Sequence, residues 1–209
     1  MVKYSDDFLA SLELKQDLLY DRIPVDQRGN YINAALAQGR QHAEQCQHGS
    51  LTSLFATAGI ELEEKQKSGR LFTTKLRAQY EDDQHGHTKV TYYRQSIEEL
   101  AELADIGYEQ ALNIHLAHEY FHYLELQDDQ PVNEVLPPVQ LPSLFGWKRK
   151  ATIMRTSEIA ANAFAKELLH LSILPNYYDY RYLMSKGEIG QAWLDQALSA
   201  YQAEGNPDK

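Results

Sequence analysis

His118, Glu119 and His122, in the run His118-Glu119-Tyr120-Phe121-His122, have the types and spacing for metal chemistry. On an α-helix the two histidines stand at i and i+4, one turn apart on one face, where both imidazoles reach a single metal ion. Glu119 points toward the same ion and can act as a general base on a water bound there. Further along, Glu158 opens the run Glu158-Ile159-Ala160-Ala161-Asn162-Ala163-Phe164-Ala165 and offers a third protein ligand. Two histidines, one glutamate and a water make the open four-coordinate set of a hydrolytic zinc site. The same residues also admit a plainer reading: a buried helix with hydrogen-bonded histidines, and a solvated first-turn glutamate favoured by the helix dipole.

These groups need two facing helices. The run GYEQALNIHLAHEYFHYLE, residues 107–125, has no Gly or Pro beyond its first residue. Within it Ile114, Ala117, Phe121 and Leu124 form one apolar stripe at helical spacing. Thr156 or Ser157 can cap a second helix that runs to about residue 170. Glu158, Ala161, Asn162 and Ala165 share a face of that helix, and alanines at 160, 161, 163 and 165 let it approach a neighbour closely. Glu125 is the rival for the third ligand. It lies about a turn past His122 on the same helix and cannot easily complete a tetrahedron begun there.

Residues 5–20 and 25–47 read as helices separated by Ile23-Pro24, and residues 52–58 as a short helix stopped by Gly59. Residues 60–65, 70–80 and 88–94 are strand candidates, the last two joined as a hairpin by a polar turn over 81–87. Ser96 and Glu99 have the spacing of a capping box. Residues 127–152 carry Pro131, Pro137, Pro138 and Pro142 without clear periodicity, so they read as a long loop between the two ligand-bearing helices, either lining or covering the cleft or making an ordinary surface excursion. A tyrosine-rich stretch and a helix near residues 188–203 close the chain. The expected fold class is α+β, a mostly helical body with a small antiparallel sheet. It is read as one domain over residues 1–209: a helical extension over 1–50, a core with the metal site over 51–175, and a helical segment over 176–209.

At 209 residues the chain has room for one well-buried core. Its net charge of −10 argues against a nucleic-acid-binding surface. No run approaches the ~20 apolar residues of a membrane span. Cys46 is the only cysteine, which excludes an internal disulfide, and its polar neighbours suggest a thiol on a helix surface. The opening MVKYSDDFLASLELKQ lacks the apolar stretch of a signal peptide, so the expected compartment is cytoplasmic.

The H-E-x-x-H run, followed by Glu158-Ile159-Ala160-Ala161-Asn162-Ala163-Phe164-Ala165-Lys166-Glu167-Leu168-Leu169, resembles the ImmA/IrrE family of metallopeptidases. That family carries H-E-x-x-H and then E-x-x-A-N-x-F-A-x-x-L-L. The second pattern matches at Glu158, Ala161, Asn162, Phe164, Ala165, Leu168 and Leu169. The resemblance implies a zincin-like core with one zinc held by His118, His122 and Glu158, and Glu119 as catalytic base. It further implies an intracellular protease that acts on a repressor-like regulatory protein. Resemblance to zincins implies a substrate extended along an edge strand, with residues 88–93 as the candidate. Phe121 departs from the pattern, standing where the family has a small residue. Residues 170–174 also depart, separating Leu169 from a proline the family reaches sooner.

Around this site His115 is read as cleft-lining or supporting a ligand, with a fourth-ligand role as the alternative. Asn162 is placed to orient Glu158 or a histidine, or simply to pack. Tyr123, Tyr92, Tyr93, His170, Tyr177 and Tyr178 are all able to donate to a developing oxyanion. The expected activity is a zinc-dependent metallo-endopeptidase with a protein or peptide substrate and neither nucleic acid nor membrane as partner. The alternative is a catalytically weak, metal-binding regulatory or partner-binding protein of phage or mobile-element origin. Glu119 separates the two, because a scaffold needs no base between its ligands.

Overall fold

Ser5 and Ser50 each start a helix by accepting a backbone N–H at the side-chain oxygen, from Phe8 and Ser53, both at 3.2 Å. The computed structural model describes residues 3–46, 50–71, 74–83, 87–128, 131–144 and 147–204. The two capped helices are α1 (Asp6–Leu14) and α3 (Leu51–Ala58), with α2 (Arg28–Cys46) between them. Gly59 ends α3 at φ 69°, a left-handed conformation that costs glycine no Cβ clash. The helix predicted over 5–20 stops at Leu14. Beyond it Asp17 Oδ1 takes the Leu19 N–H at 2.8 Å, a local bond that competes with helix continuation. Single 3-10 turns at Tyr20–Arg22 and Val25–Gln27 then lead into α2.

The next segment contains β1 (Glu61–Lys65), β2 (Gly69–Leu71), β3 (Thr74–Leu76), β4 (Ala78–Asp82) and β5 (Thr88–Tyr93). The strand predicted over 70–80 is therefore divided among β2, β3 and β4. β2 and β3 form a small antiparallel pair of their own. β4 and β5 make the predicted hairpin, whose turn residues 84–86 lie outside the described residues. The three-stranded sheet has the order β1-β5-β4, and β1 pairs with β5 in parallel. It is thus mixed, not antiparallel as expected, because β2 to β4 act as the crossover a parallel pair needs. β5 is the central strand with both edges bonded. It cannot serve as the edge strand proposed over 88–93; that position falls to β4.

β5 continues directly into α4 (Arg94–Ala104), whose first turn has Tyr93 at its cap and no side-chain hydrogen bond. The capping box is not formed. Ser96 lies inside α4, fully buried, and its Oγ accepts the Gly69 N–H at 3.0 Å, tying β2 to the helix. α5 (Tyr108–Gln127) follows and carries the H-E-x-x-H run.

Residues 127–152 are not a long loop. They hold α6 (Val132–Val135) and an antiparallel hairpin of β6 (Val139–Leu144) and β7 (Trp147–Ala151). Pro142 falls where the pairing register shifts, between Leu141 and Leu144, as expected of a residue with no N–H for the ladder.

α7 (Arg155–Leu168), α8 (Asn176–Ser185) and α9 (Gln191–Glu204) complete the chain. α7 is the centre of the core. Gly39 of α2 lies so close that a Cβ there would stand 2.1 Å from the Ala160 carbonyl oxygen. On another side Phe164 packs on Phe121 of α5, ring centroids 5.6 Å apart and both residues fully buried. Phe121 is therefore a core residue and does not shape the cleft. Phe8, Leu9 and Leu14 of α1 are buried in the same core. The fold class is α+β and mostly helical. Among the described residues no helix is long and apolar enough to cross a membrane.

Candidate metal centre

α5 places His118 and His122 one turn apart with their Nε2 atoms 3.1 Å from each other. α7, held against α5 by small and aromatic residues, delivers Glu158. Its Oε2 lies 3.1 Å from His118 Nε2 and its Oε1 3.7 Å from His122 Nε2. A tetrahedral ion bound at about 2.0–2.1 Å holds neighbouring ligand atoms about 3.3 Å apart, and the observed separations bracket that value. The three residues form the metal-capable His/Cys/Asp/Glu group found among the described residues. Thr156 and Ser157 do not cap α7 as predicted. Both lie within its first turn, and Thr156 Oγ1 donates to the Ile153 carbonyl at 2.6 Å.

Charge in the group is strongly coupled. Burial alone would lower the His118 pKa, but the hydrogen bond and charge of Glu158, aided by Glu119 and Glu13, push it up to about 9. Burial likewise works to raise Glu158, and His118 with His122 overcomes it, holding the carboxyl down at about 2. A proton on His118 thus offsets the Glu158 carboxylate beside it.

His118 and Glu158 open onto a cavity of about 440 Å³ that is also lined by Glu119, His115, Arg77 and Arg155. Glu119 stands outside the ligand group, and its Oε2 accepts the Tyr80 backbone N–H of β4 at 2.9 Å. The edge of β4 thus runs beside the candidate base.

No family model matches the chain, and neither a curated protein nor a solved structure matches it. The site therefore rests on its own geometry.

His115 lines the cavity without joining the ligand group. Its Nδ1 pairs with the Ala111 carbonyl at 2.8 Å, while burial, reinforced by the Arg77 charge, lowers its pKa to about 4, so the ring is neutral. Asn162 also lines the cavity, but its amide donates to the backbone carbonyl of Glu158 at 2.8 Å and not to a ligand side chain. Tyr123 packs its ring on Tyr120 and Tyr80. Of the oxyanion-donor candidates Tyr178 reaches the cavity, its hydroxyl receiving a bond from Gln110 at 3.2 Å. Tyr92 instead bonds Glu64 at 3.1 Å, and Tyr177 packs its ring at a tilt beside Tyr4.

Two charged residues at the site escape sequence reasoning. Arg155 Nη1 donates to Glu13 at 2.8 Å, and Arg77 Nη1 donates to Asp179 at 2.6 Å. Neither sits in a motif, and each partner is far away in sequence. Arg155 had one local signal: it stands one helical turn before Glu158.

Proposed function

We propose that the chain is a zinc-dependent endopeptidase of the kind its ImmA/IrrE resemblance implies, cleaving a specific intracellular regulatory protein. The observation that carries this reading is Glu119. It lines the same cavity as His118 and Glu158 while staying outside the group these form with His122, as a base must. Two imidazoles and one carboxylate at these separations suit zinc with a position left open.

His118, His122 and Glu158 would hold the ion, which when bound supplies Lewis acidity that polarises a peptide carbonyl and acidifies water. Glu119 takes the proton from the attacking water and returns it to the amine nitrogen as the C–N bond breaks. The Tyr80 N–H keeps that carboxylate in place beforehand. Arg155 and Tyr178, both on the cavity wall, can donate to charge that develops on the carbonyl oxygen. An extended substrate segment adds along β4, the edge strand beside the cavity.

The test is expression of wild type and Glu119→Gln in the source cell, followed by a search for protein fragments. A fragment made by wild type alone supports the reading. No fragment, with equal rescue of a deletion phenotype by both forms, replaces it with the partner-binding alternative.

A further inference from the structure

His122 offers Nε2 to the ligand group, and its other nitrogen meets a second pair of side chains. Ser157 Oγ lies 3.4 Å from His122 Nδ1, and Glu125 Oε2 lies 3.6 Å from it. Ser157 donates its hydroxyl hydrogen to that same Glu125 oxygen in a short bond. The other carboxylate oxygen, Oε1, accepts the Val132 N–H of α6 at 3.2 Å. Glu125 is thus anchored from two sides. Ser157 is buried and the Glu125 side chain is only 12% exposed, so water competes weakly for either.

The bonding leaves one arrangement of protons. A serine hydroxyl has one hydrogen, and Ser157 commits it to Glu125. A carboxylate can only accept. Nδ1 of His122 therefore faces lone pairs alone and must carry the ring proton. In a neutral imidazole this leaves Nε2 as a lone pair, and Nε2 is the atom aimed at His118 and Glu158. Ser157 immediately precedes Glu158, so the first turn of α7 supplies both a ligand and a support for another ligand.

We infer that Glu125 and Ser157 are positioning residues, which hold His122 in the one tautomer and ring orientation that presents Nε2 to a metal. The inference rests on the metal reading of the site, and it moves Glu125 from rival ligand to support of one. Partners of this type on a ligating histidine commonly contribute about 10- to 100-fold in metal affinity.

The test is a zinc competition titration on the full chain in wild type, Glu125→Ala, Glu125→Gln and Ser157→Ala. It is paired with ¹⁵N-histidine spectra of the zinc-loaded wild type. Glu125→Ala should bind zinc about 10- to 100-fold more weakly. Glu125→Gln keeps an acceptor oxygen and should recover part of that loss, which a merely structural defect would not do. Ser157→Ala should lose less than Glu125→Ala. The wild-type spectrum should show His122 coordinated through Nε2 with its proton on Nδ1, a readout that stands even if Glu125→Ala fails to fold. Equal zinc affinity in wild type and Glu125→Ala, or His122 coordinated through Nδ1, overturns the inference while leaving the metal site intact. A wild-type chain that takes up no zinc removes the metal reading and this inference together.

Discussion

Glu119 on α5 accepts the backbone N–H of Tyr80 on β4 at 2.9 Å, so the candidate base is joined to the edge strand beside it. In Glu119→Gln the amide oxygen can still accept that bond, and only the basicity is lost. Zinc content and melting temperature should stay near wild type while turnover of the natural substrate falls by about 10²–10⁴-fold. Unchanged turnover would remove Glu119 from the chemistry.

Glu158 and Glu125 are distinguished by where their oxygens lie. Glu158 reaches both Nε2 atoms, at 3.1 and 3.7 Å, whereas Glu125 approaches His122 from the Nδ1 side. Glu158→Ala should therefore weaken zinc binding far more than Glu125→Ala. The reverse order in a competition titration would assign the third ligand to Glu125.

The His118–Glu158 pair contributes to the pH dependence of the metal-free protein. His118 is raised from 6.5 to about 9, so its contribution to stability is complete below about 6.5 and is lost as pH climbs through 9. Glu158 is lowered from 4.5 to about 2, so its contribution is present above about 4.5 and is lost as pH falls toward 2. The melting-temperature gap between metal-free wild type and Glu158→Gln should be largest from about pH 4.5 to 6.5 and shrink on both sides. Zinc must displace the His118 proton, so its apparent affinity should rise with pH up to about 9. A gap and an affinity that are both flat with pH would contradict the coupling.

Gly39 sets the distance between α2 and α7. Alanine there gains up to about 1 kcal/mol of helix propensity. Its Cβ, however, would stand 2.1 Å from the Ala160 carbonyl oxygen and 2.9 Å from Ala163 Cβ. Backbone cannot rotate away as a side chain can, so overpacking wins. Gly39→Ala should lose about 1–3 kcal/mol in denaturant unfolding. It should also weaken zinc binding, because α7 carries Glu158. Wild-type stability in this variant would mean the two helices are not locked together.

The site is more legible in the sequence than the fold around it, for local reasons. His118 and His122 share one helix four residues apart, so spacing alone places them on one face with Glu119 beside it, and the alanines of α7 mark the face that carries Glu158. Long-range partners leave no such trace. Ser96 has the spacing of a cap, yet its oxygen serves Gly69 across 27 positions. The parallel pairing of β1 with β5 depends on a crossover that no residue of either strand announces. Pro142 interrupts the alternation that would reveal β6, and past the end of α1 Asp17 bonds the Leu19 N–H, which apolar periodicity does not register. Arg77 and Arg155 line the cavity bonded to Asp179 and Glu13, partners far away in sequence.

The most direct measurement is the zinc content of purified wild type, His118→Ala and His122→Ala after equilibration with zinc and removal of loosely bound metal. One zinc per wild-type chain, with most of it lost in each variant, is the result predicted from three ligand atoms gathered within 4.8 Å of one another. Stoichiometric zinc retained by both variants would contradict the site.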